Sequence, residues 1–294
     1  MMVVRYMDMI IEIYSTVYKH VFCKTFNRSC YVFLCGGSGK CHIRNKIRLI
    51  LEKKQFQIFY PEDLFIEMFN KDKKADLLEY ENLLADNSDI ICIICESIGS
   101  AVELGAFIQN EKIKNKMVVV INSKFSRDKS FVIMGPVKHL KKISNTSVVF
   151  YRNNEIDELG NMLVKVFRKM YKEEGHKNES CDTLSAFIVF IPMIIYFFQT
   201  VNRKKLHKNF REYLKLEKIL PNKYNELFNA SVRYLIKSGI VTAKYDLDQK
   251  EETLSLSSKG YQSTYNLLAQ SSEPNRTRLH DKIRCDILNK QLSS

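Results

Sequence analysis

Asn87-Ser-Asp-Ile-Ile-Cys-Ile-Ile-Cys-Glu-Ser-Ile-Gly-Ser-Ala-Val-Glu-Leu-Gly105 is the stretch whose reading decides the fold. Its apolar run, Ile90 to Cys95, is short, rich in β-branched residues and without polar alternation, as expected of a strand covered on both faces of a parallel sheet. Glu96-Ser97-Ile98-Gly99-Ser100 then brings small, polar and flexible residues to the carboxyl end of that strand, and Ala101 to Gln109 reads as a helix. In open α/β sheets such a junction is where ligands bind. On this reading Glu103 lies in the first helical turn, directed back toward the junction.

Upstream, Tyr31 to Leu34 is a first buried strand running into Cys35-Gly36-Gly37-Ser38-Gly39-Lys40. The phosphate-loop pattern G-x-x-x-x-G-K-[ST] is not met, because Leu34 stands where the first glycine belongs and Cys41 replaces the hydroxyl. Two readings remain: Gly36 and Gly37 let the backbone approach a ligand, or they make a tight turn from strand to helix. A helix follows over Ile43 to Lys53, then a strand over Gln57 to Tyr60. Pro61 opens a further helix at its first position, with Glu62 as a dipole partner or a site residue. Leu77 to Ala85 is helical by its apolar spacing, with Glu79, Glu81 and Asn82 as polar positions. Met117 to Asn122 and Ser147 to Tyr151 complete the strands, so that Asn122 also ends at the carboxyl edge. Strands alternating with helices imply a parallel, Rossmann-like sheet with helices on both faces.

A chain of 294 residues with 45% hydrophobic composition is long enough for about two domains. The reading divides it into an N-terminal helix (1–28), the α/β domain (29–170), a hydrophilic linker (171–182), a second domain (183–272) and a basic C-terminal tail (273–294). The formal charge of +13 suits a polyanionic partner such as nucleic acid. Eight cysteines are scattered, several within apolar runs, which fits free thiols in a reducing cytoplasm. Cys92 and Cys95 match C-x-x-C, but alternation puts their sulfurs on opposite strand faces and no second pair accompanies them, so no metal site is expected. Charges at Arg5, Asp8, Glu12 and Lys19 make Met1 to Val21 an amphipathic helix instead of a signal peptide. Leu184 to Phe198 is strongly apolar but shorter than the roughly 20 residues a bilayer span needs, and it contains Pro192. A buried helix, and no membrane association, is expected.

The second domain has a different organisation. Helices are expected over Leu184 to Val201, Lys204 to Leu216 and Asn222 to Lys237, the last closed by Gly239. Ile240 to Tyr245 and Glu252 to Leu256 are strand-like around a polar turn. Helices followed by a two-stranded wing describe a winged helix-turn-helix. Between Asn202 and Lys244 eleven Lys and Arg face three Asp and Glu, which makes Lys204, Lys205, Lys208, Arg233 and Lys237 candidate nucleic-acid contacts. The same module also serves protein contacts or dimerisation.

Glu103 admits two chemistries. Breaking an N-glycosidic bond builds positive charge on the sugar, which a carboxylate beneath the anomeric carbon can capture as a covalent glycosyl-enzyme. A helix N-terminus would keep that carboxylate ionised. Ser97, Gly99 and Ser100 would then bind sugar hydroxyls or phosphate, and Glu96 would orient a hydroxyl or assist proton transfer. Alternatively, Ser100-Ala-Val-Glu103 is a capping box in which the glutamate closes onto the serine backbone.

The segment Ser97-Ile-Gly-Ser-Ala-Val-Glu103-Leu-Gly-Ala-Phe107 after an apolar strand resembles the nucleophile motif of the nucleoside 2-deoxyribosyltransferase superfamily. Further blocks resemble the ribosyltransferase-like effectors encoded beside retron reverse transcriptases. These are Phe33-Leu-Cys-Gly-Gly37, Phe59-Tyr-Pro-Glu-Asp-Leu-Phe65, Leu77-Leu-Glu-Tyr-Glu-Asn-Leu-Leu-Ala85 and Lys129-Ser-Phe-Val-Ile-Met-Gly-Pro-Val137. The resemblance implies a cytoplasmic antiphage toxin that cleaves NAD or a related nucleotide, with Glu103 as nucleophile and no resident cofactor. As partners it implies a retron reverse transcriptase with its multicopy single-stranded DNA and structured RNA, in an oligomeric assembly. A catalytically silent, nucleotide-sensing DNA-binding regulator is the competing function. Ile98 stands where the effectors often carry proline, and Glu96 matches only loosely the aspartate usual upstream in the transferases.

Overall fold

The computed structural model describes residues 10–25, 30–37, 42–60, 77–173, 181–247, 250–269, 271 and 273–292. The chain folds as two compact units, Ser29–Lys177 on one side and Met1–Arg28 with Asn178–Ser294 on the other. The N-terminal segment therefore groups with the C-terminal half of the chain.

The Ser29–Lys177 unit is built on five strands: β1 (Tyr31–Cys35), β2 (Gln57–Phe59), β3 (Ile90–Cys95), β4 (Met117–Asn122) and β5 (Val148–Tyr151). Their order is β2-β1-β3-β4-β5 and every neighbouring pair is parallel. The winding reverses between β1 and β3, whose carboxyl ends open the crevice in which doubly wound sheets bind ligands. The main helices are α1 (Ile43–Lys53), α2 (Leu77–Asp86), α3 (Ile98–Phe107), α4 (Glu111–Lys114), α5 (Lys138–Ile143) and α6 (Ile156–Glu173).

Alternation along the strands divides the core. Val32, Leu34, Cys92, Ile94 and Val118 pack with Ile47 and Leu51 of α1 and with Leu159, Leu163 and Phe167 of α6. On the opposite face Phe33 meets Phe107 of α3, with ring centroids 6.0 Å apart, and Leu104 is fully buried. Gly160 brings α6 close to α1, because a Cβ there would stand 2.7 Å from Ile50 Cγ2.

In the other unit a helical run over residues 10–25, π-helical at Val17–Phe22, accompanies α7 (Leu184–Phe198). Tyr14 lies among Phe190, Phe198, Phe210 and Tyr213, and nearly all of α7 is buried. No described helix is long and apolar enough to cross a membrane. The sequence reading carried this helix to Val201, and that is corrected here. Gln199 takes a left-handed φ of 64° and ends it, and Thr200–Asn202 form a strand, β6. Asn202 then caps α8 (Arg203–Leu216) by accepting the Lys205 N–H at 3.0 Å. After α9 (Tyr224–Lys237), Gly239 adopts φ 69° and the Ile240 N–H donates to Leu235 O, the closure expected of a helix-ending glycine. β7 (Val241–Asp246) and β8 (Glu251–Leu256) form an antiparallel hairpin joined by β6 in the order β6-β8-β7. α10 (Ser258–Ala269) and α11 (Arg276–Leu292) follow. The stretch read as a basic tail thus contains a helix, with Ile283 and Ile287 buried.

Candidate active site

The junction after β3 is organised by Ser97. Its Oγ accepts the Ser100 N–H at 3.2 Å, while Ser100 Oγ accepts the Ser97 N–H at 3.1 Å. This reciprocal cap starts α3 at Ile98, one turn earlier than the sequence reading had it. Two expectations are thereby corrected. Glu103 is not the partner of Ser100 in a capping box, and it lies in the second helical turn, since the first turn holds no acidic residue. The two motifs overlap in sequence, and Ser100, which could have opened a cap of its own, serves as the third residue of the cap that Ser97 begins.

Glu103, which takes no part in the cap, is half-buried, with its Oε2 atom out of solvent. Two thiols register its charge. Burial pushes the Cys95 thiol up to about 12, and the Glu103 carboxylate adds to that shift. Burial likewise holds the Cys35 thiol well above its ordinary value, with Glu103 and Glu81 pushing the same way and Arg44 opposing them. The charges of Glu103 of α3, Glu81 of α2 and Arg44 of α1 thus all bear on the thiol at the carboxyl end of β1.

Glu96, the last residue before the cap, closes onto α1. Its Oε2 accepts the Ile43 N–H at 3.0 Å and lies 3.3 Å from His42 Nδ1, and its Oε1 accepts the Arg44 N–H at 3.4 Å. A carboxylate at a helix N-terminus satisfies exposed backbone donors and the helix dipole together. Glu96 therefore ties β3 to α1 and carries His42 with it.

The glycines after β1 make room for side chains of this chain. A Cβ on Gly36, whose φ is 154°, would stand 3.2 Å from Arg44 Cδ and 3.3 Å from Ile94 O, and a Cβ on Gly37 would collide with the His42 ring. Among the described residues, a Cβ on Gly99 would have only Ser97 Oγ within 4 Å, at 3.9 Å. Ser100 is almost fully buried in the cap, which leaves Ser97 as the more open hydroxyl of the two. Asn122 caps the short Ser123–Phe125 turn through the Lys124 N–H and donates to Asn153 Oδ1 at 2.6 Å. Glu62 lies outside the described residues.

The family model described as STM3845 retron effector protein matches residues 40–243, which include α1, β3, α3 and Glu103. The chain belongs to this retron effector family. Among similar proteins of Escherichia coli, the "Retron Ec86 putative ribosyltransferase/DNA-binding protein" is 37% identical over 155 residues, covering 52% of this chain and 50% of that protein. The Ec73 protein of the same designation is 33% identical over 126 residues, 40% of each chain. The match thus spans half or less of the length of these curated relatives.

In this retron effector the basic candidates sit on two helices. Lys204, Lys205 and Lys208 are exposed on the first turns of α8, and Lys237 is exposed at the end of α9. Arg233, one turn before Lys237, is half-buried, with its Nε out of solvent. Arg203 is held between Glu252 Oε2 at 2.7 Å and Asn229 Oδ1 at 3.0 Å, linking α8 to both β8 and α9. Sequence reading passed over His42 and Arg44. The signal was their position at the start of the helix after the glycine turn, where side chains reach the carboxyl edge of the sheet.

Proposed function

We propose that this retron effector is an N-glycosidase that acts on NAD or a related nucleotide through Glu103. The observation that carries the reading is the half-buried Glu103 carboxylate, outside the helix cap and on the helix that follows β3 at the β1–β3 switch point. The carboxylate attacks the anomeric carbon as the bond to the base breaks, and the base leaves with the bonding electron pair. From NAD it leaves as neutral nicotinamide. Water then adds to the glycosyl ester, its oxygen joining the anomeric carbon and its proton passing to solvent, which regenerates Glu103. Ser97 and Gly99, at the open end of the cap, line the approach of the sugar.

The second unit is read as a winged helix, in the order helix, strand, two helices and hairpin, with the α8 lysines toward nucleic acid. Membership of a retron effector family supports an antiphage toxin whose partners are the reverse transcriptase and its single-stranded DNA and structured RNA, and which that complex holds inactive. The test is expression of the full chain alone, with and without Glu103→Gln, while NAD and deoxynucleosides are measured. Toxicity and nucleotide loss should both vanish in the variant. Their persistence would remove Glu103 from the reaction.

A further inference from the structure

We infer that the segment running from Ser123 to Ile143 in the α/β unit is a binding surface for single-stranded nucleic acid, on which an unpaired base stacks against Phe131 while the flanking cations hold phosphates. The inference goes beyond the role given to the α8 lysines: it concerns the other unit, a different surface and unpaired strands, and it does not depend on Glu103.

The charge of this segment is one-sided. It carries Lys124, Arg127, Lys129, Lys138, Lys141 and Lys142 against a single acid, Asp128, so more than a third of the chain's net charge of +13 falls within it. All six cations are exposed, as is His139 among them. Elsewhere in the chain such side chains pair locally, Lys114 with Glu111, Arg152 with Glu155 and Lys215 with Glu212. Among the described residues none forms an ion pair with any of these six. A solvated protein surface usually intersperses both signs, whereas a stripe of unneutralised cations is the footprint of a phosphate backbone.

The apolar residues on the same surface serve no packing purpose of the fold. Phe131 is 84% exposed, Met134 52% and Phe125 41%, whereas Pro136, Val137 and Leu140 of the same helical run are buried and anchor it. Phe131, Met134, Lys138 and Lys141 recur at spacings of three and four residues, which puts ring, thioether and ammonium groups along one exposed face. Lys124 Nζ likewise lies 4.6 Å from the centroid of the Phe125 ring. The run is π-helical over Ile133–Val137, a widened winding that recurs at functional sites. Beside it opens a cleft of about 370 Å³, lined by Phe131, Gly135 and His139 and by Gly105, Gln109 and Lys114 from α3 and α4. Ligand pockets start at roughly 300 Å³, so one planar base fits. The Phe131 ring borders that cleft, its Cζ only 3.5 Å from where a Cβ on Gly135 would stand.

Exposed aromatic rings interleaved with lysines are how proteins hold single strands without reading sequence, because every unpaired base offers a face to stack. A duplex hides those faces. A membrane-surface helix needs a continuous apolar side turned to the lipid, but here the continuous apolar side is buried and lysines share the outer one.

The test measures binding of a fluorescent oligothymidylate, a hairpin duplex and phosphatidylglycerol vesicles across a salt series. The proteins are the full-length chain, Phe131→Ala, and a triple variant with Lys138→Gln, Lys141→Gln and Lys142→Gln, each repeated with Lys204, Lys205 and Lys208 also changed to glutamine. Every substituted side chain is exposed, and unchanged thermal midpoints confirm the fold. Phe131→Ala should weaken oligothymidylate binding by about 5- to 100-fold while leaving the salt slope and the duplex affinity nearly as they were. The triple variant should flatten the slope of log affinity against log salt by about 2. Both effects should persist when the α8 lysines are absent, which separates this surface from that one. Oligothymidylate binding unmoved by Phe131→Ala in both backgrounds would overturn the proposal, and so would an equal loss on the duplex or a chain without the α8 lysines that no longer binds the oligonucleotide. A loss confined to the vesicles would make this a membrane surface and overturn it as well.

Discussion

Single hydroxyls and thiols decide how the crevice is read. Ser100 has a complete structural account, since its Oγ accepts the Ser97 N–H and donates to Ser97 O at 2.8 Å. Ser100→Ala should therefore cost about 1 kcal/mol of stability in urea denaturation while leaving glycosidase turnover within a few-fold of wild type. A large loss of turnover at unchanged stability would instead make Ser100 a substrate ligand. The thiols carry a pH dependence. Cys95 is raised in the folded chain from 9.0 to about 12, so its unfolded form ionises first. Stability from this group is fully present below the unfolded value and is lost as pH rises toward 12. The urea midpoint should hold up to about pH 8 and fall above 9, less steeply in Cys95→Ser. An identical alkaline fall in that variant would exclude Cys95 as a contributor.

At the scale of elements, sequence legibility followed the strength of the local pattern. The strands over Ile90–Cys95 and Met117–Asn122 and the helix over Ile43–Lys53 were readable to the residue, because continuous β-branched runs and a helical apolar spacing leave little choice of period. β6 was not readable. Thr200–Asn202 is three residues long and follows an apolar helix with no glycine or proline to mark its end, the break being a left-handed Gln199. The start of α3 was misread because Ser97 and Ser100 both satisfy a capping pattern, and only tertiary geometry decides between them. Arg44 and His42 were invisible for a related reason: their placement depends on residues that follow β1, β3 and β2. Gly160 looked like an ordinary helical glycine, yet it sets how closely α6 lies on α1. Gly160→Ala should destabilise the Ser29–Lys177 unit by roughly 1–3 kcal/mol through overpacking against Ile50, seen as a lower thermal midpoint. A midpoint within a degree of wild type would mean that Ile50 yields freely.

At the scale of the whole molecule, a sheet unit with a carboxylate-bearing crevice shares a chain of net charge +13 with a helical unit that carries exposed lysines. Replacing Lys204, Lys205 and Lys208 with glutamine should weaken binding to single- and double-stranded DNA and reduce the slope of log affinity against log salt by up to about 2 or 3. Binding unchanged at every salt concentration would remove α8 from the nucleic-acid surface. The central claim, that Glu103 is the nucleophile of an N-glycosidase, is tested most directly by base release from NAD and deoxynucleosides, using the purified full-length chain and its Glu103→Gln variant side by side. The account predicts release by the wild type and a rate lower by about a thousandfold or more in a variant of unchanged fold, a loss of at least ~4 kcal/mol of transition-state stabilisation. Comparable rates from the two proteins would contradict it.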